Sequence, residues 1–167
     1  YPLPPVPKVA EKIIVLGDTG CRIKGTWNQD YNAANDNSPT QGWPLATVMN
    51  KVAAQQADAI LYMGDYHYRE APCSNQAYCG GSPWSDNAEG QHWKSWRDDW
   101  FNPARAAFLT APWVMVRGNH ENCSRAWRGF QLFMAQGPVG SASDTCPDIL
   151  PSYKIGLQTD PASQITL

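Results

Sequence analysis

The chain has 167 residues, 43% of them hydrophobic and 17% charged, and carries a net charge of −2. That length supports one domain with a sizeable core. The near-neutral balance excludes a basic nucleic-acid footprint, and no apolar run approaches the length of a membrane span, so neither nucleic acid nor a membrane is expected as a partner. Residues 1–11, opening Tyr1-Pro2-Leu3-Pro4-Pro5-Val6-Pro7, read as an extended proline-rich lead consistent with a processed chain. A first strand is predicted over 12–16, followed by a polar, irregular loop over 26–42. From 44 to 56 the apolar positions Leu45, Val48, Met49, Val52 and Ala53 have the spacing of one helix face, with proline in the first turn. A second strand over 59–63 completes the strand, helix, strand unit of a parallel sheet.

Residues 70–90 again read as loop, with Cys73, Cys79, Gly80-Gly81 and Pro83. From 91 onward Trp93, Trp96 and Trp100 recur at helical intervals, a spacing that predicts a core-facing stripe, whereas Trp43 and Trp84 lie in loops and are candidates for a site rim. A third strand is expected over 113–116. A last helix over 124–135 would place Trp127, Phe130, Phe133 and Met134 on one face, and beyond 137 only a short strand near 153–157 stands out.

The five cysteines divide into two candidate loop staples, Cys73 with Cys79 and Cys123 with Cys146, and a remainder, Cys21. Disulfides would place the chain in an oxidising compartment, secreted or periplasmic. The irregular spacings do not fit a zinc finger. Cys21 reads as a buried thiol near Asp18, with pairing to a segment outside this chain as the alternative.

The chemistry is carried by an echo at the three strand ends. Ile13-Ile14-Val15-Leu16-Gly17-Asp18, Ile60-Leu61-Tyr62-Met63-Gly64-Asp65 and Val114-Met115-Val116-Arg117-Gly118-Asn119 each run from an apolar strand through glycine to an oxygen donor. Parallel strands bring their carboxyl ends to one edge, where ligands of open α/β folds bind. Two carboxylates and an amide oxygen meeting there point to a cation site. Each motif alone would more often be a turn or a helix cap; the three in this order, after these strands, are specific.

With their neighbours they read Gly17-Asp18-Thr19-Gly20, Gly64-Asp65-Tyr66-His67-Tyr68 and Gly118-Asn119-His120-Glu121. The set resembles the calcineurin-like metallophosphoesterases, and among them the purple acid phosphatases. Ordinary members carry a histidine two positions after the first aspartate, where this chain has Gly20. Purple acid phosphatases have glycine there and a tyrosine three positions after the second aspartate, where this chain has Tyr68. The exchange has a physical sense, since a phenolate suits Fe(III) and an imidazole suits softer divalent metals.

The resemblance implies an α/β fold, a metallophosphoesterase-type β-sandwich flanked by helices, of which this chain supplies about the first βαβαβ half. It implies that Asp18 and Tyr68 bind a ferric ion, that Asp65 bridges it to a second, divalent metal (Fe, Zn or Mn), and that Asn119 binds that second metal. His120 would not ligate but would act on the phosphate or leaving group as the catalytic side chain. The implied activity is metal-dependent hydrolysis of a small-molecule phosphate ester, of acid phosphatase type, in which the dinuclear centre activates a water or hydroxide for in-line attack on phosphorus. His67 lies between two ligands and could reach the cleft, His92 suits a surface or capping role, and Glu121 suits holding its loop better than touching metal. Arg22 could contact a phosphate oxygen or form a surface ion pair.

The family also supplies histidines from its C-terminal half, in Val-x-x-His and Gly-His-x-His motifs. The histidines here are His67, His92 and His120 alone. Residues 12–167 therefore read as the N-terminal part of such a domain, with its C-terminal part absent from this sequence and expected as a partner on a separate chain. Residues 137–143 would suit a nick between the halves. A degenerate half-domain acting as a non-catalytic interaction or structural fragment is the alternative from another class, and an ordinary two-divalent-metal phosphodiesterase the alternative among enzymes.

Overall fold

A computed structural model describes residues 3–24, 28–31, 42–72, 74–75, 77, 92–135 and 146 in full, and residues 27, 154–156 and 164–166 by their backbone. Three strands, β1 (Ile13–Leu16), β4 (Ala59–Tyr62) and β5 (Trp113–Met115), form a parallel sheet in the order β1-β4-β5. Ile14 pairs with Ile60 and Leu16 with Tyr62, while Ile60 and Tyr62 pair with Trp113 and Met115 on the other side. Because strand side chains alternate, these six share one face, and all belong to the core or pack against it.

Both steps along this sheet go the same way, so two right-handed crossovers put their helices on the same face. The first crossover carries α1 (Leu45–Ala53), which begins immediately after Pro44 and buries Leu45, Met49 and Val52. The second carries α2 (Trp93–Trp96), a widened π-helical turn (Arg97–Phe101) and α3 (Asn102–Phe108). The widening sits where Pro103 removes an N–H and its ring would crowd the carbonyl of Asp99. α1 and α3 pack against each other over the sheet. On the opposite face Ile13 and Val15 of the edge strand are 42% and 60% exposed.

The core between sheet and helices is aromatic. Tyr62, Tyr66, Trp96, Trp100 and Phe130 meet with ring centroids 4.4–6.0 Å apart, several of them edge to face. Phe130 comes from α4 (Trp127–Phe133), which approaches α2 so closely that a β-carbon at Gly129 would lie 1.7 Å from the Trp96 indole nitrogen.

Three expectations need correction. Trp93 faces outward, 51% exposed against Phe101 and Phe133, because it opens α2 at the edge of the helical layer. Phe133 joins it there instead of sharing the buried face of Phe130. Trp43 is buried, not a rim residue: its indole N–H donates to the Thr19 carbonyl at 2.6 Å and its ring stacks on Tyr31.

β2 (Ile23–Lys24), just before the stretch expected to be loop, and β3 (Trp27–Asn28), inside it, form a short antiparallel pair. β6 (Lys154–Gly156) falls where a strand was expected and pairs with β7 (Gln164–Thr166), which was not. Cys123 and Cys146 are joined as a disulfide, and Cys21 is a buried free thiol whose pKa burial pushes up. Cys73, Cys79 and Trp84 lie outside the described residues. Among the described residues no helix is long and apolar enough to cross a membrane.

Candidate metal centre

The chain leaves each strand of the sheet at its carboxyl end and turns at once. Asp18 and Asp65, the residues after the first two turns, both adopt left-handed backbone, with φ of 57° and 61°. That conformation is uncommon outside glycine and costs on the order of 1–3 kcal/mol where the surroundings impose it. The two turns are tied together, because the Asp18 N–H donates to the Gly64 carbonyl at 3.1 Å.

Their carboxylates converge on Tyr68. The phenol hydroxyl donates to Asp18 Oδ1 at 2.6 Å and lies 3.0 Å from Asp65 Oδ2, so three oxygens surround one proton. Partial burial, followed by those two hydrogen bonds, pushes the Tyr68 pKa far up. The ring fills the space beside Gly20. A β-carbon built on residue 20 would lie 2.7 Å from the Tyr66 carbonyl oxygen and the Tyr68 nitrogen, and 2.8 Å from Tyr68 Cδ2. Glycine at 20 and tyrosine at 68 thus occupy one volume between them.

The third turn closes on Asp65 from the other side. A β-carbon at Gly118 would lie 2.1 Å from Asp65 Oδ1, so only glycine permits the approach, and the His120 N–H donates to that same oxygen at 2.9 Å. Asn119, between them in a single 3-10 turn (Asn119–Glu121), has an exposed side chain. The His120 imidazole stacks on the Tyr68 ring, centroids 4.0 Å apart and planes 28° from parallel. Burial and then Arg125 draw its pKa down, against the opposing pull of Asp65 and Glu70.

Glu121 holds these pieces from beneath. Fully buried, its carboxylate accepts backbone N–H groups from Asp65 at 2.9 Å, Tyr66 at 2.8 Å, His67 at 3.2 Å and Gly118 at 3.2 Å. Burial pushes its carboxyl pKa up, against the pull of His67 and of those donors. It holds a loop, as its place in the motif suggested, and the loop is the one that bears Asp65.

After Asp65 the chain is extended, and side chains alternate. Tyr68 and Glu70 face the site, whereas His67 and Arg69 face inward to Asp99. Arg69 grips Asp99 through Nε and, at 2.7 Å, through Nη2, and His67 Nδ1 lies 3.5 Å from Asp99 Oδ2. His67, Arg69 and Asp99 are all buried. His67 therefore does not reach the cleft. His92 is exposed and only its carbonyl takes part in the helix start. Arg22 is half-buried, its backbone N–H bonded to Gln29.

The structure thus brings Asp18, Asp65, Tyr68 and His120 together and sets Asn119 beside them in the chain. Asp99 and Glu70 are the participants that spacing could not reveal: Asp99 lies 30 residues beyond Arg69 in a tryptophan-rich helical segment, and Glu70 belongs to no motif. Among the described residues no three His, Cys, Asp or Glu side chains cluster as metal donors, so the set depends on the phenol. Two carboxylates and a phenol oxygen fit a hard, highly charged cation.

The family model of the calcineurin-like phosphoesterases matches residues 11–156 of the chain. Among curated proteins nothing matches it.

Proposed function

The chain belongs to the calcineurin-like phosphoesterase family, a family of metal-dependent phosphoester hydrolases that typically use dinuclear metal ions, and from that premise we propose an acid phosphatase of the purple type. In this reading Asp18, Tyr68 and Asp65 would hold a ferric ion, and Asp65 and the Asn119 amide oxygen would hold a second, divalent metal (iron, zinc or manganese). The observation that carries the reading is Tyr68. Its hydroxyl touches both carboxylates, and its ring takes the space that a side chain at position 20 would need.

Bound metals supply Lewis-acid neutralisation of phosphate charge and acidify water. The chain's own residues do the rest. Glu121 fixes the loop that carries Asp65, and Gly118 lets the third turn close against that carboxylate. His120, held by the Tyr68 ring and by its own N–H to Asp65, presents an imidazole beside the ligands, where it protonates the leaving-group oxygen. The Cys123–Cys146 disulfide supports a secreted or periplasmic location. The exposed Ile13 and Val15 face is the one that a second sheet would cover, which supports a C-terminal half, in this or another chain, as the structural partner.

Iron reconstitution tests the assignment. A visible tyrosinate-to-iron band should appear and should vanish in Tyr68→Phe. A colourless, iron-free and fully active protein would instead make this an ordinary two-divalent-metal phosphoesterase.

A further inference from the structure

The turn that follows Asn119–Glu121 is rigid, and it carries a cation. Cys123 is tied to Cys146, the Arg125 N–H donates to the Asn122 carbonyl at 2.9 Å, and Ala126, fully buried, holds left-handed backbone with φ of 53°. Surroundings must impose such a conformation on alanine, so the base of the Arg125 side chain is fixed. Its guanidinium comes to rest at the edge of the site. Nη1 lies 3.5 Å from Glu70 Oε1, and that oxygen lies 3.8 Å from His120 Nδ1, which puts Arg125 one carboxylate away from the imidazole. The Arg125 side chain is 23% exposed, within reach of a ligand but not loose in solvent.

Charge at this edge does not balance. Glu70 is one carboxylate between two cations, and Lys24 already holds it at 2.7 Å. The Arg125 contact is longer than a hydrogen bond, so the guanidinium's donors are not committed to Glu70. An incoming anion can draw Arg125 away at little cost, because Lys24 stays on the carboxylate.

We infer that Arg125 determines specificity by binding an anionic group on the leaving portion of the substrate, a carboxylate or a second phosphate. The inference rests on the phosphoesterase reading proposed above. There the phosphoryl group belongs over Asp18 and Asp65 and His120 serves the leaving oxygen, so a cation that follows His120 and Glu70 in the line of contacts meets the portion that departs. The planar fork of arginine matches carboxylate and phosphate alike, through two parallel hydrogen bonds. Favoured substrates are then phosphorylated hydroxy acids and diphosphates, ahead of phosphate esters of neutral alcohols.

Two matched pairs of probes isolate the added charge in the metal-loaded full chain. Phosphoglycolate has a carboxylate where ethyl phosphate has a methyl group, and ADP has a second phosphate that AMP lacks, so the first pair reads a carboxylate and the second a phosphate. Calorimetry should find the more charged member of a pair bound more tightly by wild type. Arg125→Gln should weaken that member by about ten- to a hundredfold, the scale of a charge-assisted hydrogen bond, and the other member much less. Arg125→Lys, which keeps the charge but not the fork, should fall between. In hydrolysis the same loss should appear in KM more than in kcat. Discrimination within one pair alone supports the inference and narrows the anion to that kind. A residue that only props its turn would weaken both members alike; that result, or equal binding of both members of each pair by wild type, overturns the inference. If wild type prefers the more charged members but hydrolyses none of the four, the phosphoesterase reading fails and recognition by Arg125 stands. If it binds none of them, both fall.

Discussion

Glu121 is the residue whose replacement most sharply separates a loop-holding carboxylate from an incidental one. In Glu121→Gln the shape is kept, but one acceptor oxygen becomes an NH2 group. Oε1 takes the Tyr66 and His67 N–H groups and Oε2 takes those of Asp65 and Gly118. Whichever way the amide settles, one of these pairs of buried donors loses its acceptor and faces another donor. At roughly 1–3 kcal/mol for each orphaned group, the cost is about 2–6 kcal/mol. That is a large share of the roughly 5–15 kcal/mol that holds a typical domain together, so Glu121→Gln is a more tractable variant than Glu121→Ala, which strands all four donors.

Urea unfolding checks the first consequence through a lower midpoint at unchanged slope. The second is specific to the site. Either orphaned pair includes the N–H of Asp65 or those of Tyr66 and His67 just after it, so the loop that presents Asp65 loosens, and affinity for manganese or zinc, measured by calorimetry on the metal-free chain, should fall about 10–100-fold. A Glu121→Gln variant within ~0.5 kcal/mol of wild type, binding metal as tightly, would refute the reasoning.

Asp99→Asn breaks the buried grip on Arg69 and should cost about 3–5 kcal/mol in the same unfolding assay, because an unpaired guanidinium is left inside. Gly20→Ala sets a methyl against the Tyr66 carbonyl and the Tyr68 backbone and ring; a loss of about 1–3 kcal/mol is expected, together with weaker iron binding as Tyr68 is displaced from Asp18. Acid should also destabilise the protein through two carboxylates. Burial raises the Asp99 pKa, but Arg69 and His67 outweigh it and leave it below the ordinary 3.8. The bond to Lys24 leads in holding Glu70 below 4.5. Near those values the unfolded chain binds more protons than the folded one, so their stabilisation is complete above about pH 4.5 and is lost as pH falls through the lower, folded values. Thermal melts across pH 2–6 check this, and Asp99→Asn should flatten the acid limb.

Much of this site was legible because each of its strands announces itself in one continuous apolar run and ends at a glycine. Parallel strands necessarily bring such ends to one edge, so Asp18, Asp65 and the third turn could be placed without knowing any contact. Gly20 and Tyr68 were legible as a pair because each makes sense only with the other. Other features left no periodic trace. β2, β3 and β7 are two or three residues long, too short for alternation to show. The inward turn of His67 is decided by Asp99, far along the chain, and Trp93 has the right spacing for a core stripe but stands at the helix's first position. Trp43 sits in a loop, which suggested exposure, yet its N–H finds the Thr19 carbonyl and its ring finds Tyr31.

The most direct test of a metal-dependent phosphoesterase built on Asp65 is hydrolysis of a generic aryl phosphate by the metal-stripped protein, the reconstituted protein and Asp65→Asn. Hydrolysis should require added metal and be lost in Asp65→Asn while the fold, judged by circular dichroism, remains. Hydrolysis that persists after metal removal and in Asp65→Asn would contradict the assignment, and a folded protein that neither binds metal nor hydrolyses the ester would make the chain a non-catalytic member of its family.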